Sequence, residues 1–148
     1  MLTHRDGSAF TASQATYLDV LPGRSGRDAK IYVRVAVGAP DFVTLAMLDT
    51  GSTYSVLDAD LAEELGAFAE TEAPSVMMGT RSGTLSGRLV RRPLWLLADE
   101  GESLEIDATF WVSSEWRHGH FLGYAGFLQR IRFGLDPQLN RFHFGPLP

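Results

Sequence analysis

Apolar residues in this chain fall into short runs, several of them alternating with polar ones, and glycine- or proline-rich turns cut the runs apart. That rhythm predicts strands of about four to eight residues rather than long helices. Thr16 to Leu21 reads as a first strand, ended by Pro22-Gly23, and Arg24 to Asp28 as a flexible, charged linker. Ile31 to Val37 and Phe42 to Leu48 are β-rich runs joined by Gly38-Ala39-Pro40, which makes them a hairpin whose second arm delivers Asp49. Tyr54 to Leu57 is a short strand. Asp58 then stands as N-cap for a helix over Ala59 to Leu65, with Gly66 as its stop and Leu61 and Leu65 on one face. An acidic loop, Ala67 to Pro74, leads to a hairpin from Val76 to Val90 studded with Gly79, Gly83 and Gly87. Leu94 to Ala98 and Leu104 to Val112 are further strands, the second placing Leu104, Ile106, Ala108 and Phe110 on one face. After a break at Trp116 to Gly119 comes Phe121-Leu122-Gly123, then a short helix over Phe127 to Ile131, a turn at Asp136-Pro137 and a last strand from Arg141 to Phe144. Residues 1–14 are polar and predict a flexible arm, leaving 15–148 as a single mainly β domain.

Composition changes this picture little, but it removes several functions. The 148 residues carry a net charge of −5, which argues against nucleic acid as a partner. The chain has no cysteine, so disulfides, thiol catalysis and cysteine-ligated metals are excluded. The N-terminal residues lack the apolar core of a signal peptide and no run approaches a membrane span, so the expectation is a cytoplasmic protein without membrane contact.

Candidate chemistry centres on Leu45-Ala46-Met47-Leu48-Asp49-Thr50-Gly51-Ser52. A carboxylate at the end of a buried strand loses water and keeps its charge only where donors solvate it. Gly51 permits a tight backbone turn, and Thr50 and Ser52 offer hydroxyls. The same four residue types also close ordinary hairpins. The glycines of the 76–90 hairpin suit a mobile lid, or simply an exposed loop. They do not suit a phosphate cradle, since no strand, glycine loop and helix follow one another there. His118-Gly119-His120 lacks a third ligand and reads as a polar loop, and His4 and His143 suggest no triad, so neither a metal nor any other cofactor is expected.

The order of elements, with Met47-Leu48-Asp49-Thr50-Gly51-Ser52 and Phe121-Leu122-Gly123 as its most specific parts, resembles the retropepsin-like aspartic proteases, single-domain relatives of the pepsin family. The resemblance runs from about Ala15 to Gly145 and implies a closed β barrel with one or two short helices and a flap hairpin. It implies that two aspartates share one proton and activate a water against a peptide carbonyl, best at mildly acidic pH. Asp49 would be the catalytic acid/base, Thr50 a hydroxyl holding the loops together, and Gly51 the point of close backbone approach. Ser52 would orient the carboxylate, and Gly123 would complete the second motif. Met78, Gly79, Thr80, Arg81, Ser82, Gly83 and Thr84 would form the substrate-covering flap, with Met77, Met78 and Leu85 hinting at hydrophobic side chains near the scissile bond.

One chain carries half of such a dyad. Asp6-Gly7-Ser8 echoes the motif only faintly, so the resemblance implies a homodimer with one Asp49 per chain. Retroviral members carry an aspartate and an arginine where this chain has Thr53 and Tyr124, and their chains end differently. The cellular, bacterial type is the nearer likeness. A peptide or protein is the implied substrate. The alternative reading is a non-catalytic peptide-binding or dimerisation module on the same fold.

Overall fold

The computed structural model describes residues 1–25 and 30–148. Most of the linker expected over Arg24 to Asp28 therefore lies outside the described residues. Strand β1 is Ser13–Thr16, β2 Tyr32–Val37, β3 Val43–Leu48 and β4 Ser55–Val56. Helix α1, Ala59–Glu64, precedes β5 (Ser75–Thr80), β6 (Gly83–Leu96) and β7 (Leu104–Val112). The chain then forms β8 (His120–Leu122), β9 (Ile131–Asp136) and β10 (Arg141–Pro146).

Six strands close a barrel. The order runs β2-β3-β8-β4-β7-β6, and β6 pairs back onto β2 through Leu94↔Val37, Trp95↔Ala36 and Leu96↔Val35. Because side chains alternate across each strand, closure turns Val33, Val35, Leu94, Leu96, Ile106, Ala108 and Phe110 into one interior, joined by Leu57, Leu122, Phe127, Phe142 and Phe144. The alternating face expected of Leu104 to Phe110 is the face that packs inward. The predicted mainly β class with a closed barrel is what the chain forms.

β6 is one strand of 14 residues where the sequence suggested two elements divided near Pro93. Proline is tolerated because β6 changes partners there. Its lower part pairs with β5 up to Arg88, and its upper part pairs with β2 from Leu94. The Pro93 carbonyl accepts from Gly38 N (2.8 Å), so its missing N–H points to the same side, between the two partners.

Helix α1 forms as expected. The Asp58 carboxylate accepts from Asp60 N (3.1 Å), and Gly66 ends the helical stretch with φ +67°. Within the acidic loop that follows, Ala67–Ala69 makes one 3-10 turn.

A second, three-stranded sheet, β1-β10-β9, closes one end of the barrel. Two of its strands differ from expectation. β1 lies at Ser13–Thr16 rather than Thr16 to Leu21, so it begins inside the expected arm, and Ser13 and Gln14 are buried. The expected helix over Phe127 to Ile131 is only a 3-10 turn at Leu128–Arg130, after which Ile131–Asp136 is a full strand. Tertiary pairing decides this, since β9 has β10 beside it along its whole length. The first eleven residues fold back on this sheet: Thr3 bridges Ala9, Leu2 N donates to Thr11 Oγ1 (3.0 Å), and the Arg132 guanidinium lies over the Phe10 ring.

Candidate active site

Three short segments meet around Asp49. β3 and β8 run parallel, with Met47↔Phe121 and Leu48↔Leu122, and Asp49 N donates to Leu122 O (3.0 Å). The loop after each strand crosses the other. Tyr124 N donates to Ser52 O (2.9 Å), and Ala125 N donates to Thr53 O (2.7 Å). Gly123 sits at the crossing: a Cβ there would lie 2.3 Å from Tyr54 O and 2.9 Å from Ser52 O. This contact explains why the second motif ends in glycine. The two motifs, about seventy residues apart in sequence, form one knot of backbone.

Ser55 is a member of this knot that sequence reasoning missed. Its hydroxyl is buried and accepts from Gly123 N (3.0 Å). Removing that acceptor would leave a buried N–H unpaired, worth about 1–3 kcal/mol. A serine in a short strand carries no sequence signal of such a role; only its position opposite Gly123 does.

Asp49 is half-buried, and its Oδ1 accepts from Gly51 N (3.0 Å). Gly51 thus solvates the carboxylate with its backbone, and a Cβ on it would stand 3.3 Å from the same oxygen. Ser52 does something else. Its Oγ donates to Tyr54 O (2.7 Å), so it fixes the loop rather than the carboxylate, and its amide bonds Asp49 O (3.1 Å). Thr50 is exposed, and among the described residues its hydroxyl has no partner in its own chain.

The β5–β6 hairpin stands beside this knot. Thr80 Oγ1 donates to Gly83 O (2.7 Å) and accepts from Ser82 N (3.1 Å), closing a two-residue tip of Arg81 and Ser82. Met78 and Leu85 face inward onto a small apolar cluster of Val56, Trp111 and Trp116, which also takes in Tyr54 and Phe121 from the two crossing loops. Gly79, Arg81, Ser82, Gly83 and Thr84 are exposed. Gly87, expected to add mobility, instead makes room: a Cβ on it would lie 2.3 Å from the Trp111 ring, whose Nε1 donates to Val76 O (2.9 Å). The hairpin base is therefore clamped and only its tip is free.

His120 has a structural place. Its Nδ1 accepts from Asp58 N (3.1 Å), joining β8 to the start of α1, while His118 packs edge-on against Trp116. Among the described residues no three metal-ligating side chains converge. Burial lowers the proton affinity of His120 below its ordinary value, and the nearby Asp58 charge opposes this only in part. The folded state thus prefers the neutral ring, so the contribution is present above the free-imidazole range near ~6.5 and is lost as pH falls through the lower folded value. His143, with its buried Nδ1 unpartnered, shifts in the same direction. A His120→Asn variant keeps an acceptor but does not titrate. Urea melts at descending pH are expected to show it losing less stability on acidification than the parent; parallel losses would contradict this.

Two crevices flank the barrel. One, of about 430 Å³, lies between the start of β3 and α1 and is lined by Asp41, Phe42, Asp58, Glu64 and His120 among others. The other, of about 360 Å³, lies at the hairpin base near Phe68, Arg88 and Ser113. Asp49 lines neither.

Residues 33–96, which include Asp49 to Ser52 and the hairpin, match the family model described as "Aspartyl protease". The whole fold is similar to a retropepsin-like aspartic protease from Rickettsia conorii, with TM-score 0.54 over 90% of this chain and 91% of that one at 15% identity. This is a retropepsin-like aspartic protease fold. The fold is also similar to the retroviral protease-like domain of Ddi1 from Leishmania major, with TM-score 0.50, 17% identity, and 80% of this chain and 94% of that one covered. No curated protein sequence matches the chain. The closed β-barrel fold that the resemblance implies is the fold these structures share. Among the described residues no helix is long and apolar enough to cross a membrane.

Proposed function

We propose that the protein is an aspartic endopeptidase whose active site forms when two copies bring their Asp49 carboxylates together. The observation that carries this reading is the setting of Asp49. A half-buried carboxylate, held by a backbone N–H, follows a half-buried strand at the crossing of two laced loops. The sequence holds only one Asp-Thr-Gly-Ser, so the second carboxylate comes from an identical chain.

Two carboxylates in hydrogen-bonding contact hold one proton between them. The ionised member takes a proton from a water, whose oxygen attacks the scissile carbonyl carbon, while the protonated member donates to the carbonyl oxygen. Collapse of the resulting diol breaks the C–N bond, and a carboxyl passes its proton to the departing amine. Gly51 N–H keeps Asp49 oriented throughout. The hairpin tip from Gly79 to Thr84, with Met78 beneath it, acts as the flap over an extended peptide, and the clamped base at Gly87 and Trp111 serves as its pivot.

The test is incubation of purified protein with a peptide library from acidic to neutral pH, with products read by mass spectrometry. Cleavage blocked by a pepstatin-type transition-state analogue is the expected result. Peptide binding without cleavage at every pH would replace this reading with a binding module on the same fold.

A further inference from the structure

The closed barrel leaves one stretch of strand edge uncovered. β8 pairs with β3 only from Ala46, opposite His120, to Leu48, opposite Leu122. Gly119 ends the match: its φ of +86° turns the chain away, and its amide donates to Asp58 Oδ2 (3.1 Å). Among the described residues, Val43, Thr44 and Leu45 therefore have β2 on one side and no strand on the other. Leu48 N donates to Ile31 O, towards β2, and Asp49 N donates to Leu122 O, towards β8. Backbone groups alternate in direction along a strand, so Leu45 N–H and Val43 C=O point to the open side. Barrel closure removes most such edges, because a row of unpaired donors and acceptors is a template for another chain.

The uncovered edge borders the crevice of about 430 Å³ between the start of β3 and α1. Asp41, Asp58, Asp60 and Glu64 line it without any lysine or arginine, and its one other ionisable residue, His120, prefers the neutral form. Two of the acids are already engaged. Asp58 accepts from Asp60 N and Gly119 N, and Asp60 pairs with Arg117. Asp41 and Glu64 are exposed and, among the described residues, take part in no ion pair. Beside them Phe42 and Val43 are 39% and 55% exposed, so apolar surface adjoins the unpaired backbone.

We propose that this edge is a docking site for a partner protein, which adds an extended segment bearing lysine or arginine as a further strand beside residues 43–45. Main-chain bonds to Leu45 N–H and Val43 C=O fix the segment, and its cationic side chains meet Asp41 and Glu64. Charge complementarity selects this occupant. An acidic segment would face four carboxylates, and a docked helix would leave the edge groups unpaired. Six residues of extended chain separate Val43 from Asp49, about 20 Å, so the docked segment lies apart from that carboxylate. The docking site therefore stands whether or not the protein cuts peptides.

The test is binding of a fluorescent heptapeptide of alternating lysine and valine to the full chain, read by anisotropy at neutral pH and low salt. A glutamate–valine peptide of the same length is expected to bind at least about tenfold more weakly. Two further forms of the lysine peptide are N-methylated at alternate residues, so that each blocks one edge. One of them is expected to lose at least about tenfold in affinity and the other to bind as the unmodified peptide does. Asp41→Asn combined with Glu64→Gln should weaken binding about fivefold without moving the melt, since both side chains are exposed. Amide exchange followed by NMR should show Leu45 N–H slowed by the peptide, and an excess of a pepstatin-type analogue should leave binding unchanged. No binding up to about 1 mM peptide overturns the docking site, as does equal binding of the glutamate peptide or of both N-methylated forms. Displacement by the analogue, or an unchanged Leu45 amide, would place the peptide elsewhere and overturn it too. None of these readings requires hydrolysis, so a protein that cuts nothing counts against the protease reading alone.

Discussion

Asp49→Asn is expected to lower kcat by about 10³- to 10⁴-fold and to leave thermal stability within about 0.5 kcal/mol of the parent. The two halves of this expectation have different origins. Asparagine keeps an oxygen where Asp49 Oδ1 accepts the Gly51 N–H, so the loop retains its bond and the knot its shape. What disappears is the ability to take and return a proton, which a shared-proton pair needs at every step. Subunit mixing sharpens the experiment. If chains exchange freely, equal amounts of parent and variant leave about one quarter of the dimers with two aspartates, and activity should fall accordingly. Kinetics on any cleaved library peptide, with a melt alongside, reads both halves. Full activity in the variant would remove Asp49 from the mechanism.

The second large effect is predicted at Gly123. An added methyl meets Tyr54 O at 2.3 Å and Ser52 O at 2.9 Å, both backbone atoms of the loop that follows Asp49. Neither can swing aside like a side-chain end, and moving them breaks the bonds from Tyr124 N and Ala125 N or from Gly123 N to Ser55 Oγ. Gly123→Ala is therefore expected to lose at least about 3 kcal/mol and about 10 °C in Tm. Gly79→Ala is the control, because nothing lies within 4 Å of a Cβ at that position. Its melt should stay close to the parent's. Equal melts for the two variants would show that the crossing is looser than these contacts require.

The readable parts of the chain were those whose signal is local. Asp58 and Gly66 bound α1 because capping and left-handed backbone are properties of single residues. The β2–β3 hairpin followed from two β-rich runs around Gly38-Ala39-Pro40, and the inward face of β7 from alternation. Misreadings arose where pairing outweighs local preference. The hairpin arm ending at Val90 and the strand from Leu94 were read as separate, yet they are one β6 that exchanges β5 for β2 between them. Ile131–Asp136 carries a glycine and a weak pattern, and becomes a strand because β10 lies beside it. Gly87 and Gly79 are the same residue type with opposite roles, one pressed on an indole and one in open space.

By itself the sequence determined a mainly β chain with an acid poised at a strand end and a second glycine motif far along the chain, because periodicity and motif chemistry are written in neighbouring residues. Only the tertiary structure decided that these motifs cross as one knot, that Ser52 and Ser55 brace it, and that Tyr124 stands exposed beside Asp49. Those facts depend on which backbone atoms meet across about seventy residues of chain, and no local pattern carries that distance.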